Sequence, residues 1–246
     1  MSVRDARPRS ARLVDWVRLR AYHMGWLVTR EPFKFRVLPT MLERGITDVL
    51  DIGANAGQFV ETLRGDGVKG RVVSVEPLPD AFAALAAKAA RDPRWDVERA
   101  AVSSSPGVVT VNVSSNSVSS SVLPMLERHT DAAPGSVYVT TEEVTATTVD
   151  DLVARHQLEP ERTLLKLDVQ GYERDVLEGA RATLDRFAAV RTELTLVPLY
   201  EGQALLADIV QLLEGHGLEL WALEQGFTDP KSRRQMQFDG TFFRRR

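Results

Sequence analysis

The residues best placed for chemistry are three acids at the ends of predicted strands. Asp51, Glu76 and Asp168 each lie at the carboxyl end of a short apolar stretch that is typical of a buried strand. In open α/β sheets, ligands bind beyond the carboxyl ends of the strands. The three acids are therefore expected to face one crevice from three different strands.

A glycine-containing loop follows the first of these strands. Gly53 and Gly57 let the backbone turn tightly and approach a ligand, which a Cβ atom would obstruct. Residues 59–63 have the pattern of the helix that follows, and a second strand at 71–75 ends in Glu76. This layout binds nucleosides, and the terminal acid accepts hydrogen bonds from two ribose hydroxyls.

The loop departs from the G-x-G-x-x-G pattern that binds the pyrophosphate of a dinucleotide. Asp51 would repel a pyrophosphate, but it suits a cationic ligand such as S-adenosylmethionine. By position, residues 101–103 are expected near the adenine. The predicted cofactor-binding residues are Asp51, Gly53, Asn55, Gly57, Glu76, Pro77, Ala101 and Asp168. The alternative is a strand-to-helix turn in an α/β protein without a ligand.

Three motifs carry a resemblance to a known family. They are D-V-L-D-I-G-A-N-A-G-Q-F from Asp48, V-S-V-E-P-L-P from Val73, and L-L-K-L-D-V-Q-G-Y-E-R-D-V-L-E-G-A from Leu164. In this order they resemble the FkbM family of S-adenosylmethionine-dependent methyltransferases, from about Asp48 to the C-terminal Phe-Phe. The resemblance implies methylation of hydroxyl, and sometimes amino, groups on sugars, polyketides and related secondary metabolites. The family usually shows Glu where this chain has Gln170.

The expected fold is α/β, of the Rossmann-like class I methyltransferase type. It has a mostly parallel seven-stranded sheet with helices on both faces and an antiparallel last strand. Residues 1–46 are predicted to form an N-terminal helical extension and residues 47–246 the methyltransferase domain. The strand predicted at 95–101 is the third of the sheet, and residues 239–240 are expected to form a turn or bulge beside the closing strand pair.

Two segments have alternative interpretations. Residues 1–46 are rich in arginine, and apolar residues within 13–22 recur at near-helical spacing, which predicts a basic amphipathic helix. It either packs on the domain or contacts a membrane surface, nucleic acid or an anionic substrate. Residues 114–141 include a serine-rich stretch that is either a disordered linker or a substrate flap. In the FkbM family a similar stretch lies beside the substrate, which favours the flap.

The composition restricts the class of protein. The chain has 246 residues, a net charge of -3 and no cysteine, so thiolate metal sites and disulfides are excluded and a cytoplasmic location is the simplest expectation. Stable membrane insertion is not expected, because no apolar run approaches about 20 residues. The net charge gives no general attraction to nucleic acid. The expected partner is a small-molecule acceptor, and a homodimer is compatible with the sequence.

Methyl transfer to a hydroxyl needs alignment of the acceptor and a base for its proton. Asp168 is the first candidate for this role and Glu193 the second, while His129 and His156 rank below them. His129 is expected to be solvated, and His156 to suit a helix C-terminus. Asp168 and Glu193 could share a divalent cation, but no third ligand is evident and no metal site is predicted.

Three functional hypotheses remain after these arguments. The first is O-methyl transfer to a sugar or polyketide-type acceptor, and a close variant is N-methyl transfer to an aminosugar or aminocyclitol. The third is a non-catalytic module that binds S-adenosylmethionine. A nicotinamide oxidoreductase would need the missing glycine pattern. A nucleic-acid methyltransferase would need a broad basic face and a base-stacking aromatic motif at the strand end, where Leu-Asp-Val-Gln offers no aromatic residue.

Overall fold

A computed structural model describes residues 33–246. Most of the predicted N-terminal extension, including the basic amphipathic helix, lies outside the described residues. The remainder is helical, as expected: a short π-helical segment (Phe33–Val37) leads into α1 (Leu38–Glu43). The buried side chains of these two helical segments include Phe33, Val37 and Met41, which pack against one face of the sheet that follows.

Ten strands and six further helices make up the described part of the chain. The strands are β1 (Asp48–Ile52), β2 (Val72–Val75), β3 (Trp95–Glu98), β4 (Ala101–Val102), β5 (Gly107–Ser114), β6 (Tyr138–Thr147), β7 (Thr163–Leu167), β8 (Ala189–Thr195), β9 (Leu218–Gln225) and β10 (Gln237–Arg244). The helices are α2 (Gln58–Gly65), α3 (Pro79–Ala89), α4 (Glu127–Ala132), α5 (Val149–His156), α6 (Glu173–Glu178) and α7 (Leu206–Gly215).

Seven strands form the main sheet in the order β3-β2-β1-β7-β8-β10-β9. β1, β2, β3, β7 and β8 are parallel, and β10 runs antiparallel between β8 and β9. This arrangement confirms the predicted fold class. Successive strand residues point to opposite faces, so Val49 packs with α1, α2 and α3, whereas Leu50 packs with α5, α6 and α7.

A second, three-stranded sheet in the order β4-β6-β5 stands beside the main one. β5 and β6 form its antiparallel pair, and β4 adds to β6 in parallel. The single strand predicted at 95–101 is instead two, β3 in the main sheet and β4 in the second. The chain changes sheets because Ala101 pairs with Ala146 of β6 and is buried in a small apolar cluster there.

Residues 239–240 do not form the expected turn or bulge. Asp239 and Gly240 are paired within β10, and the register shift between β10 and β9 comes one residue later, between Thr241 and Phe242. Gly240 is needed for packing, since a Cβ there would lie 2.3 Å from Leu194 Cδ1. Among residues 33–246, no helix is both long and apolar enough to cross a bilayer.

Candidate active site

A cleft opens at the carboxyl ends of β1, β2 and β7. It encloses about 720 Å³ of space, its open mouth included. Six of the predicted cofactor residues line it, namely Gly53, Asn55, Glu76, Pro77, Ala101 and Asp168. Asp51 and Gly57 do not.

Glu76 is held in the cleft by backbone donors. Its Oε2 accepts a hydrogen bond from the Asn55 N–H at 2.8 Å, and its Oε1 accepts one from the Leu78 N–H at 3.0 Å. Burial raises the pKa of Glu76, and the two backbone hydrogen bonds oppose that rise. Because a carboxylate oxygen can accept two hydrogen bonds, each retains one for a ligand hydroxyl.

Asp51 is located behind the cleft, which corrects the expectation that it faces the crevice. Its side chain is fully buried, and its Oδ1 lies 2.9 Å from Lys166 Nζ. Oδ2 accepts a hydrogen bond from the Ser74 hydroxyl at 3.1 Å. β1 continues one residue past Asp51, so the side chain projects from the face of the sheet. Asp51 thus supports the site through its ion pair with Lys166 and does not line the cleft.

Lys166 connects the buried acid to the exposed one. Its Nζ donates to the Gly53 carbonyl at 3.1 Å and lies 3.6 Å from Asp168 Oδ2. Burial lowers the pKa of Lys166, but the two aspartates outweigh it and raise the pKa to about 12. The charged lysine therefore fixes the glycine loop next to Asp168, whose side chain is 43% exposed. A lysine within an otherwise apolar strand was the sequence signal for this contact.

The two loop glycines serve different purposes. Both have positive φ, but a Cβ on Gly53 would lie 1.9 Å from the Asp168 carbonyl oxygen, so only glycine allows the loop to cross the end of β7. A Cβ on Gly57 would lie 2.7 Å from the Trp95 ring. Gly57 thus permits core packing, which corrects its predicted role as a cleft residue.

The lining of the cleft has one apolar part and one hydroxyl-rich part. The apolar wall includes Leu78, Ala101, Val102, Val111 and Val122. The other is supplied by the serine-rich segment, through Ser117, Ser120 and Ser121. This segment is held by the Asn116 side chain, which bonds Ser114, Ser119 and Ser136. Its place beside the cleft is the one expected of a substrate flap, and its opening stays a prediction.

Gln170 is a cleft residue that sequence reasoning did not select. Its Nε2 donates to Asp168 Oδ1 at 2.9 Å and to Glu193 Oε2 at 3.0 Å. The Tyr200 hydroxyl donates to its Oε1 at 3.0 Å. Its φ of 52° is left-handed, which was not evident from the residue type.

Glu193, the second catalytic candidate, does not line the cleft. It lies behind Gln170, and a second amide, Gln237 Nε2, donates to it at 3.1 Å. Burial and the neighbouring carboxylates of Asp168, Glu173 and Asp239 raise the pKa of Glu193 well above its ordinary value. The nearby Arg191 guanidinium binds Glu224 and Asp239. Direct contact of Glu193 with a ligand in the cleft is therefore not supported.

Glu173 is a further buried acid of this region. Its Oε1 accepts the Gly171 N–H at 3.1 Å. Burial is the largest cause that raises its pKa to about 7, and Asp168 adds to the rise. Among the described residues, no group of three or more His, Cys, Asp or Glu side chains is arranged to hold a metal ion.

Both histidine candidates lie away from the cleft. His129 is buried rather than solvated, with its ring 5.2 Å from that of Tyr200, and burial lowers its pKa. This corrects the expectation of a solvated loop residue. His156 ends α5, as predicted, and its Nε2 lies 3.0 Å from Glu98 Oε2.

The chain resembles known methyltransferases in sequence pattern and in fold. The Methyltransferase FkbM domain model matches residues 51–220, more than half of the chain. No curated protein sequence matches the chain. The crystal structure of an FkbM methyltransferase from Methylobacillus flagellatus KT is 15% identical, with a TM-score of 0.54, and the match covers 81% of this chain and 44% of that one. The chain thus spans less than half the length of that protein.

Two further structures overlap less closely. A S-adenosylmethionine-dependent methyltransferase from Listeria monocytogenes, described as putative, is 11% identical with a TM-score of 0.46, over 85% of this chain and 96% of that one. Aeropyrum pernix fibrillarin, crystallised with S-adenosyl-L-methionine, is 13% identical with a TM-score of 0.44, over 83% and 73%. The match to the family model, together with the seven-stranded sheet, shows that the chain belongs to the FkbM methyltransferase family.

Proposed function

We propose that the protein transfers a methyl group from S-adenosylmethionine to a hydroxyl of a small molecule, a sugar or a polyketide-type metabolite. The observation that carries this proposal is the shared cleft, which brings a backbone-anchored acid, Glu76, and a partly exposed acid, Asp168, to one space. The first is suited to a nucleoside and the second to an acceptor.

The residues present fit the cofactor. Glu76 retains hydrogen-bonding capacity for ribose hydroxyls, and the apolar wall at Ala101 and Val102 suits an adenine ring. The loop at Gly53 brings main chain close to the ligand space without a side chain. When bound, S-adenosylmethionine would supply an electrophilic methyl group on a good leaving group.

Asp168 is the residue proposed to act on the acceptor. Its carboxylate is exposed in the cleft while Gln170 and Lys166 hold it from two sides. A carboxylate in this position can orient a hydroxyl and take up its proton, and such a base contributes about 10²–10⁴ in rate. The hydroxyls of Ser117 and Ser120, which also line the cleft, can hydrogen-bond a polyhydroxylated acceptor.

An amine acceptor is the second candidate, favoured by one observation. Two acids, Glu76 and Asp168, line the cleft, and the Asp168 side chain is 43% exposed there. Acidic surroundings attract an aminosugar or aminocyclitol. A neutral amine attacks without a base, so Asp168 would then orient the acceptor rather than remove a proton.

The test is transfer of labelled methyl from S-adenosylmethionine to a panel of sugars, macrolactones, aminosugars and aminocyclitols, with and without EDTA. Labelled O-methyl product from the wild-type protein, and a large loss of turnover in Asp168→Asn with unchanged cofactor affinity, would support the proposal. N-methyl product would favour the amine candidate. Cofactor binding without label in any acceptor, or normal turnover of Asp168→Asn, would contradict it.

A further inference from the structure

The Gln170 side chain is bonded at every polar atom. Both of its N–H groups are directed at acids, Asp168 Oδ1 at 2.9 Å and Glu193 Oε2 at 3.0 Å, and its Oε1 accepts from Tyr200 at 3.0 Å. A glutamine amide has two donors and one acceptor oxygen, and this site uses all three groups. Such a fully bonded polar group has one orientation.

Tyr200 determines which way the amide faces. Its side chain is fully buried, and burial raises the pKa of its hydroxyl, which therefore stays protonated and able to donate. If the amide flipped, its oxygen would face two carboxylates and its NH₂ group would meet the O–H of Tyr200. The flipped amide oxygen would oppose the acceptor oxygens of both acids, and Tyr200 could no longer donate to the amide, so the flipped form is disfavoured.

The Gln170 main chain is also fixed. Its carbonyl oxygen accepts the Ser121 hydroxyl at 2.7 Å, which links it to the serine-rich wall of the cleft. The next residue, Gly171, lies against the Tyr200 ring, where a Cβ would be 2.8 Å from Cδ2. The amide is thus held at both ends, by main-chain contacts and by Tyr200.

We propose that Gln170 is a positioning residue that directs the Asp168 carboxylate into the cleft and separates it from Glu193, with Tyr200 fixing the amide. Its effect on catalysis rests on the methyl-transfer function proposed above for Asp168. The arrangement itself does not, because it can be observed without any acceptor. A glutamine that only fills space would leave Asp168 unaffected when the Tyr200 hydroxyl is removed.

The first test is ¹⁵N NMR of the full chain, which resolves the side-chain NH₂ group of Gln170, assigned by its loss in Gln170→Glu. In the wild type we expect two well-separated N–H signals, and the signal of the N–H bonded to Glu193 should change position as that acid, whose pKa is raised, ionises with rising pH. In Asp168→Asn, the signal of the N–H that is bonded to residue 168 should move, because its carboxylate acceptor is gone. Signals at the positions of a free glutamine, unchanged with pH, would overturn the proposal.

The second test compares two tyrosines. Tyr200→Phe removes the donor to Gln170, whereas the matched control Tyr138→Phe removes a nearby partly buried hydroxyl that donates to the Leu123 carbonyl instead. We expect Tyr200→Phe alone to change the Gln170 signals and to lower kcat about tenfold at unchanged KM for S-adenosylmethionine, with an acceptor that takes label in the panel. Equal effects of both variants would overturn the proposal.

Folding and function can be separated in this design. If Tyr200→Phe does not fold, Gln170→Met removes the amide and should lower kcat in the same way, whereas Gln211→Met on the exposed surface of α7, its control, should leave kcat unchanged. If the wild type transfers methyl to no acceptor, the methyl-transfer proposal fails, and the NMR arm alone decides whether Gln170 holds Asp168.

Discussion

Glu76 and Asp168 follow the two strands that flank β1, yet the protein holds them by different means. Glu76 is buried and bonded by two backbone N–H groups. Asp168 is partly exposed and held by the side chains of Gln170 and Lys166. One acid is anchored by the path of the main chain, and the other by neighbouring side chains that can be substituted.

The difference suggests a division of tasks. A carboxylate anchored by main chain keeps its geometry whatever side chains surround it, as suits a cofactor common to a whole family. A carboxylate anchored by side chains can be adjusted through Gln170, Tyr200 or Lys166, as suits an acceptor that differs between proteins. The variants below test this contrast, from the largest expected effect to the smallest.

Lys166→Met should be the most damaging of them. It leaves the fully buried Asp51 without its counter-charge, and an unpaired buried charge costs about 3–5 kcal/mol of unfolding free energy. The measurement is urea unfolding. Lys88→Met is the control, because the Lys88–Glu61 pair has the same 2.8–2.9 Å separation but is exposed, and exposed pairs contribute about 1 kcal/mol or less. Similar losses in both variants would contradict the role given to Lys166.

Glu76→Gln should weaken cofactor binding. The new NH₂ group must face the N–H of either Asn55 or Leu78, and the charged acceptor of the ribose hydroxyls is lost. Hydrogen bonds to charged groups contribute about 1.5–3 kcal/mol, which corresponds to roughly 10–150-fold in affinity, measured by calorimetry with S-adenosylmethionine. Glu98→Gln at the end of β3 is the control, since Glu98 does not line the cleft. Unchanged affinity in Glu76→Gln would remove Glu76 from the cofactor site.

Glu173→Gln should change how stability depends on pH. Burial raises the pKa of Glu173 from 4.5 to about 7, so the folded protein binds this proton more tightly than the unfolded chain. Its contribution to stability is full below pH 4.5 and is lost as the pH rises through 7. The unfolding free energy is expected to fall by about 1–3 kcal/mol over this pH range, as measured by urea unfolding.

In Glu173→Gln this part of the decline disappears, although Glu193 and Asp239 retain theirs, because their pKa values are raised too. Glu178→Gln, at the other end of α6 and partly exposed, is the control and should keep the wild-type slope. A Glu173→Gln variant whose stability falls as steeply as that of the wild type would contradict the raised pKa.

Asn55→Ala tests the anchoring by main chain and should have the smallest effect. Asn55 has a φ of 47°, and its N–H donates to Glu76. A left-handed residue other than Gly or Asn costs about 1–2 kcal/mol, to be measured as unfolding free energy. Asn55→Gly should recover most of that loss, because glycine adopts this φ freely. Equal losses in the two variants would assign the anchoring to the Asn55 side chain instead.

The sequence predicted the strands and the order of motifs well, because apolar stretches and glycine turns are local signals. Side-chain direction at the site was predicted less well. Glu76 and Asp168 come just after the last residue of their strands and line the cleft, whereas Asp51 and Glu193 lie within β1 and β8 and do not. A shift of one or two residues relative to the strand end decides whether an acid lines the cleft. Strand ends cannot be located that finely from sequence.

The long-range contacts could not be predicted. Tyr200 lies 30 residues after Gln170, in a loop whose path depends on the tertiary fold. The second sheet was missed for a similar reason, since β5 and β6 are separated by a long segment. Lys166 was not selected either, although its charge inside a buried strand is a local signal that it has a partner.

The second sheet has a consequence for engineering. Val102 and Thr147 are neighbours in a parallel pair, and the Ser103 N–H donates to the Thr147 carbonyl at 2.9 Å. The chain therefore leaves the main fold and returns to it at adjacent points. Segments with adjacent ends can be exchanged with little effect on the rest of a domain. Residues 103–147 carry the serine wall of the cleft, so grafting this segment from a relative is a direct route to altered acceptor choice.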